Sequence, residues 1–216
     1  MDDQRRALWD HEAQVFDEAA DHGLRDPATR TAWQRLLLPL LPEHPQAVAD
    51  LGCGTGTLTI LLAQAGHHLH GVDFSPQMLD IARNKATNVA PAPKFTEGDV
   101  AAPALPAGSF DVVLSRHVLW AMPDPQAALH SWARLLRAGG QLLLIEGNWS
   151  TGAGLTATQN TVTSATARRR HRVKGHEFLP TGGHETCPLV AISSADGWPR
   201  ACPPALGEGS VLPVGW

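Results

Sequence analysis

Residues 48–66 read VADLGCGTGTLTILLAQAG, and the reading of this stretch decides the fold. A short apolar run enters a turn crowded by Gly52, Gly54 and Gly56, and a helix-like run over 57–65 leaves it, stopped by Gly66. Glycine reaches positive φ and lets another group approach the backbone closely. A buried strand, a glycine turn and a helix N-terminus in succession make the ligand crevice at the carboxyl edge of an α/β sheet. The spacing narrows the ligand. A dinucleotide fingerprint G-x-G-x-x-G counted from Gly52 needs its third glycine at position 57, where this chain has Thr57. The pattern is instead D-x-G-x-G-x-G, from Asp50 through Gly52 and Gly54 to Gly56, and the lysine of a P-loop is absent.

Outward from this turn, short apolar runs alternate with helical periods. The spacing predicts strands over 47–51, 67–74, 94–100, 109–117 and 141–147, and helices over 57–65, 76–88 and 125–137, the last closed by Gly139 and Gly140. Ser75-Pro76 and Asp124-Pro125 have the order of an N-cap followed by a first helical proline, as does Asp26-Pro27 before a helix over 27–38. Residues 4–22 suggest one amphipathic helix with Leu8, Val15 and Ala19 on its inner face, Trp9 and Phe16 beside them. Strands alternating with helices of this length mean parallel βαβ units with right-handed crossovers, and Trp120, Trp132 and Trp149 are expected in the core.

Composition excludes several classes. The 216 residues suffice for one domain with a sizeable core, and 43% apolar content fits a soluble globular protein. A net charge of −4 gives no reason to expect nucleic acid or an anionic membrane as partner, and no apolar run is long enough to span a bilayer. The start of the chain, MDDQRRALWDHEAQVFDEAA, lacks the apolar stretch of a signal peptide. Cys53, Cys187 and Cys202 follow neither metal-ligand spacing nor a disulfide framework, so a reduced, cytoplasmic setting without a metal is expected.

The D-x-G-x-G-x-G turn, HLHGVDFSPQMLDIARNKA over 68–86, and the run KFTEGDV through SFDVVLSRHVLWAMPDP to GGQLLLIEG over 94–147 stand in an order that resembles the class I S-adenosylmethionine-dependent methyltransferases. WDHEAQVFDEAADHGL over 9–24 resembles the helical N-terminal extension of the small-molecule members. The resemblance covers about residues 9–155 and implies a doubly wound, mostly parallel, Rossmann-like α/β sheet. It also implies a domain over 1–155, with 1–45 a helical lid or extension and 46–150 the core. S-adenosylmethionine is the implied cofactor and a small molecule the implied methyl acceptor.

Site roles follow from the same resemblance. Gly52, Cys53, Gly54, Thr55 and Gly56 would pass under the amino-acid portion and sugar of the cofactor, with Asp50 near its ammonium. Asp73, closing the second strand, would accept hydrogen bonds from the ribose diol. Phe74 and Met78 would pack on the adenine, Asp99 and Val100 would meet its amino group and ring, and Ser115 and Arg116 would line the floor. Methyl transfer is an in-line displacement in which the protein aligns the acceptor and excludes water. A base is needed only where the acceptor must lose a proton, and His117, just beyond the fourth strand, is the candidate, ahead of His11 and His22 on the N-terminal segment. His67, His68 and His70 read as structural or solvated, Asp80 and Arg83 as an exposed helix face, and Cys53 as a packing residue.

Beyond about residue 155 the pattern changes. Residues 156–216 do not read as the helix and antiparallel hairpin that end the family's sheet, and form an atypical tail, poorly ordered by composition. Leu189 to Ser193 is one strand candidate and RVKGHEF, 172–178, part of another. A divergent tail and a shifted reading frame after about Leu155 both fit this loss of pattern, and an unnatural tail would leave one sheet edge open. The alternative function is accordingly a non-catalytic S-adenosylmethionine-binding protein, or a degenerate methyltransferase with a disrupted C-terminus.

Overall fold

The structure, a computed structural model, describes residues 3–145, 161–166, 169–174 and 189–193. The chain divides into two compact units, Met1–Pro106 and Ala107–Trp216.

The first unit runs α1 (Asp3–Glu12), a 3-10 turn (Phe16–Glu18), α2 (Ala20–Gly23), α3 (Pro27–Leu37), β1 (Ala47–Leu51), α4 (Thr57–Gln64), β2 (His68–Asp73), α5 (Pro76–Lys85) and β3 (Lys94–Glu97). β1 pairs parallel with β2 from Ala47↔His68 to Leu51↔Val72, and β2 with β3 from His70↔Lys94 to Asp73↔Glu97. This register sets the carboxyl ends of the three strands on one edge. Val48, Ala49, Asp50 and Leu51 are all buried, as is every residue of α4 from Thr57 to Ala63, the pattern of a parallel strand covered on both faces.

The second unit holds β4 (Phe110–Arg116), α6 (Pro125–Ala133), β5 (Leu136–Ile145), β6 (Thr161–Thr166), β7 (Arg169–Lys174) and β8 (Leu189–Ser193). β4 and β5 are parallel, β5 and β8 antiparallel, and β8 is followed by β6 and β7. Among its described residues, Trp132, Leu114, Leu142, Leu143 and Ile145 are the largest fully buried side chains.

The expected helix starts are present. The Asp26 carboxylate accepts the Thr29 N–H at 2.7 Å, Ser75 Oγ the Met78 N–H at 3.1 Å and the Asp124 carboxylate the Ala127 N–H at 2.9 Å, each with proline behind the cap. Such caps satisfy donors that a helix leaves without a partner.

Several expectations are corrected. The single helix over 4–22 is broken into α1, a 3-10 turn and α2, and its supposed inner face is outside: Leu8 is 57% and Val15 48% exposed, while Ala13 is buried. Long-range bonds from Asp10 and Asp17 outweigh local helical periodicity there. The strand expected over 94–100 stops at Glu97, because the Gly98 N–H turns to the Asp73 carbonyl and Asp99 accepts the Ala101 N–H. Gly139 and Gly140 do not close α6. The Gly108 and Ser109 N–H groups bond the Arg134 and Leu135 carbonyls, drawing the chain into β5 early, and both glycines fall where the β4–β5 register shifts. Trp120 is 52% exposed rather than core, Trp132 is fully buried, and Trp149 lies outside the described residues.

After residue 155, the strand candidate Leu189–Ser193 is β8 and pairs along β5 from Ile145↔Leu189 to Gln141↔Ser193, so that edge of β5 is not open. Arg172 to Lys174 of the second candidate fall in β7, and β6 was not anticipated. The rest of 156–216 lies outside the described residues.

The two tryptophans supply a test of the core. Trp132→Ala is expected to cost about 3–5 kcal/mol in urea unfolding, and Trp120→Ala, which loses chiefly the bond from its indole N–H to the His117 carbonyl, about 0.5–1.5 kcal/mol.

Candidate functional site

The glycine turn is built from the sheet upward. The Gly52 and Cys53 N–H groups both donate to the Val72 carbonyl, at 2.8 and 3.1 Å, which bends the chain across the end of β2. Gly52, Gly54 and Gly56 have φ of 74°, 52° and 73°, the left-handed region where other residues are strained. Gly56 is also crowded: a Cβ there would lie 2.8 Å from Ala82 Cβ and 3.1 Å from the Phe95 ring.

Asp73 joins this turn to the next helix. Its Oδ2 accepts the Gly54 N–H at 2.8 Å and its Oδ1 the Ser75 N–H at 3.0 Å, while the residue is only 6% exposed. Burial pushes its carboxyl above the ordinary aspartate value, the N–H bonds from Ser75, Gly54 and Phe74 pull it back, and the Asp10 charge pushes it up again; the net is upward. A carboxylate has about four lone-pair positions, and the Gly54 and Ser75 hydrogen bonds take one on each oxygen, so acceptor capacity remains.

The other expected residues divide. Asp50 is buried and accepts the Thr59 hydroxyl at 2.5 Å, locking the end of β1 to the first turn of α4. Cys53 packs against Gly71, and burial, then Asp73 and Asp50, push its thiol well up, which makes it inert. Thr55 is buried, Met78 lies in the core and Phe74 is half-buried. Asp99 is exposed in its turn and Val100 is buried. In the second unit Ser115 is buried and Arg116 half-buried at the end of β4.

His117 follows them with φ of 58°, an uncommon conformation for a residue other than glycine. Its N–H donates to the Ile145 carbonyl at 2.8 Å and its carbonyl accepts the Trp120 indole N–H at 2.9 Å, so the strained backbone is fixed on both sides.

Histidine roles also separate. His22 stacks on Phe16 at 4.3 Å between ring centroids, and His11 is exposed. His67 is buried, its Nδ1 accepts the Gln46 N–H at 3.2 Å, and desolvation lowers its pKa, which makes it structural. His70 shares a hydrogen bond with Thr96 at 2.8 Å, and His68 is exposed. Asp80 and Arg83 form an exposed pair at 2.9 Å. Among the described residues no group of three or more His, Cys, Asp or Glu could hold a metal.

Sequence reasoning missed four residues beside the turn: Asp10, Phe16, Asp17 and Lys85. Asp10 accepts the Ser75 hydroxyl at 2.5 Å and Asp17 accepts the Thr55 hydroxyl at 2.5 Å. These partners stand 65 and 38 positions apart, so no local spacing announces them.

Residues 49–144 match the family described as Methyltransferase domain. A demethylmenaquinone methyltransferase of Thermus thermophilus is 36% identical over 117 residues, 53% of this chain and 53% of that protein. A ubiquinone biosynthesis O-methyltransferase of Ralstonia nicotianae is 30% identical over 178 residues, 79% of this chain and 66% of that protein. The chain thus spans about half the length of the first relative and just under two thirds of the second. Among solved structures, a Methanococcus maripaludis chain assigned as an S-adenosyl-L-methionine-dependent methyltransferase superposes with a TM-score of 0.57 at 23% identity, over 64% of each chain, a likeness of fold.

Residues 49–144 thus carry a methyltransferase domain, and the fold is the doubly wound, mostly parallel, Rossmann-like α/β fold of the class I S-adenosylmethionine-dependent methyltransferases. The family's cofactor is S-adenosylmethionine. The residues present fit it: a left-handed glycine turn at the edge where β1 and β2 end, beside a buried carboxylate with acceptor capacity left.

Gly56 and Gly66 separate crowding from backbone strain. Both have positive φ, but a Cβ at Gly66 meets nothing within 4 Å. Gly66→Ala is expected to cost about 1 kcal/mol, and Gly56→Ala about 1–3 kcal/mol more, by chemical denaturation.

Proposed function

We propose that the chain transfers a methyl group from S-adenosylmethionine to a small-molecule acceptor by in-line displacement, an activity of the EC 2.1.1 type. The observation that carries this reading is the Gly54–Asp73 bond: it places a buried carboxylate beside a glycine turn at the carboxyl edge of a parallel sheet. The turn from Gly52 to Gly56 would lie under the amino-acid portion and sugar, with Asp50 toward the ammonium. The spare acceptor positions of Asp73 suit a ribose diol. Phe74, Met78, Asp99 and Val100 would surround the adenine, and Ser115 and Arg116 would form the floor.

When bound, the sulfonium supplies a methyl group already activated for displacement. The protein's tasks are to align the acceptor, to exclude water and, for an acceptor that must lose a proton, to remove it. We assign that last task to His117, whose backbone is held in place at the end of β4. The names of the relatives support a small molecule as acceptor, with oxygen among the accepting atoms. They lend no support to the non-catalytic alternative. Among the described residues no helix is long and apolar enough to cross a membrane.

Calorimetric titration with S-adenosylhomocysteine tests the cofactor site. Micromolar binding is expected, weakened about tenfold to a hundredfold in Asp73→Ala, the loss of one charge-assisted bond. No binding by a folded wild type contradicts the reading. The diol requires Asp73 ionised, and its pKa is raised in the fold. Affinity is therefore expected to fall as pH drops through a value above that of an ordinary aspartate, earlier in acid than an unshifted carboxylate would give. In the free protein the sign is opposite: the native state holds this proton more tightly than the unfolded chain. Its contribution to stability falls as pH rises from the unfolded pKa through the folded one.

His117→Ala is expected to lower kcat about a hundredfold for an acceptor that must be deprotonated, with S-adenosylhomocysteine affinity unchanged within about twofold, read by steady-state kinetics.

A further inference from the structure

We propose that Asp17 is a positioning residue of the cofactor site: its carboxylate joins residues 3–23 to the glycine turn, so that the turn keeps its ligand-ready shape only while that segment is docked. The proposal rests on the cofactor reading above and extends it to a residue that touches the turn rather than the ligand.

Asp17 has 12% of its side chain exposed and spends both oxygens on the core. Oδ1 accepts the Thr55 hydroxyl at 2.5 Å, and Oδ2 accepts Lys85 Nζ at 2.7 Å. The same ammonium donates to Thr57 Oγ1 at 2.9 Å and Thr55 Oγ1 at 3.3 Å. Its three donors therefore meet three acceptors, of which Asp17 alone is charged. Lys85 is an awkward neighbour. It stands at Thr57, the first residue of α4, where the helix dipole disfavours a cation. Burial lowers its pKa, Asp17 raises it, and Arg25 and Arg30 lower it again. Without Asp17 that ammonium faces two neutral hydroxyls, and those hydroxyls flank Gly56. The disturbance therefore falls on the glycine turn itself.

The rest of the segment converges on the same place. Phe16 lies over the turn, its ring 3.5 Å from where a Cβ on Gly54 would sit, and packs against His22 and Trp9. Gly23 closes on Asp17: a Cβ at Gly23 would lie 2.1 Å from the Asp17 carbonyl oxygen. Asp10 holds the other end, accepting the hydroxyl of Ser75, whose N–H bonds Asp73. Asp10 and Asp17 thus grip both sides of the Gly54–Asp73 bond. If only the docked form is competent to bind, apparent affinity falls in proportion to the docked fraction.

The test compares Asp17→Asn, Lys85→Gln and the double variant with wild type, and with Asp80→Asn in the exposed Asp80–Arg83 pair as control. Three readouts are taken: S-adenosylhomocysteine titration, amide hydrogen exchange at 52–57 in the free protein, and thermal unfolding. Each single variant is expected to bind about tenfold more weakly, and the double variant no worse than the weaker single, because the two residues act as one joint. Exchange at 52–57 is expected to quicken in both singles and to stay unchanged in the control. Unchanged affinity and unchanged exchange at 52–57, even with a lowered Tm, would make the pair merely structural and overturn the proposal. Independent, additive losses in the double variant would overturn it too. Should Asp17→Asn fail to fold, Lys85→Gln alone decides by the same readouts. A wild type that binds no S-adenosylhomocysteine defeats the cofactor reading and with it this role, a failure distinguishable because it precedes any variant.

Discussion

A buried carboxylate must be satisfied, and Asp73 is satisfied by backbone N–H groups from two different segments. Gly54 supplies one and Ser75 the other. An ionised group taken out of water costs several kcal/mol unless such bonds compensate, about 1.5–3 kcal/mol each. That requirement fixes three elements at once. β2 must end at Asp73, the turn after β1 must aim an N–H at it, and the cap of α5 must stand two residues later. Left-handed glycines provide the aim; Ser75, which also caps α5, provides the start. The ligand edge is thus a consequence of solvation physics rather than an addition to the sheet.

Parallel strands end together, so the chemistry of an α/β sheet collects at their carboxyl ends. In the first unit the glycine turn and Asp73 stand at these ends. In the second, His117 follows β4, held in left-handed conformation by the Ile145 carbonyl and the Trp120 indole. Backbone strain of this kind persists only where its surroundings over-determine it. An indole tied to the carbonyl of the residue it follows by three positions is one such determinant, and it accounts for a tryptophan left half in solvent.

Much of this was legible because it is local. Asp26, Ser75 and Asp124 each precede proline, and a cap acts within three residues, so all three helix starts could be read directly. Strand burial in VADL and the glycine spacing are equally short-range. What escaped is long-range. Asp17 and Thr55, or Asp10 and Ser75, meet only after the sheet has formed, and nothing in WDHEAQVFDE distinguishes a docking acid from a solvated one. The same contacts broke the expected N-terminal helix. Gly139 and Gly140 misled for a related reason: a glycine pair after a helix reads as its stop, whereas here the sheet captures the chain before them. Asp50 had a visible place in the motif, but its bond to Thr59 shows a structural duty that spacing alone does not reveal.

The most direct measurement is a crystal structure of the chain with S-adenosylhomocysteine. The account expects both ribose hydroxyls within hydrogen-bond distance of the Asp73 carboxylate, the Gly54 N–H still bonded to it, and the amino-acid tail over Gly52 to Gly56. A nucleoside bound away from Asp73, or a ligand that displaces Gly54 from the carboxylate, would contradict it.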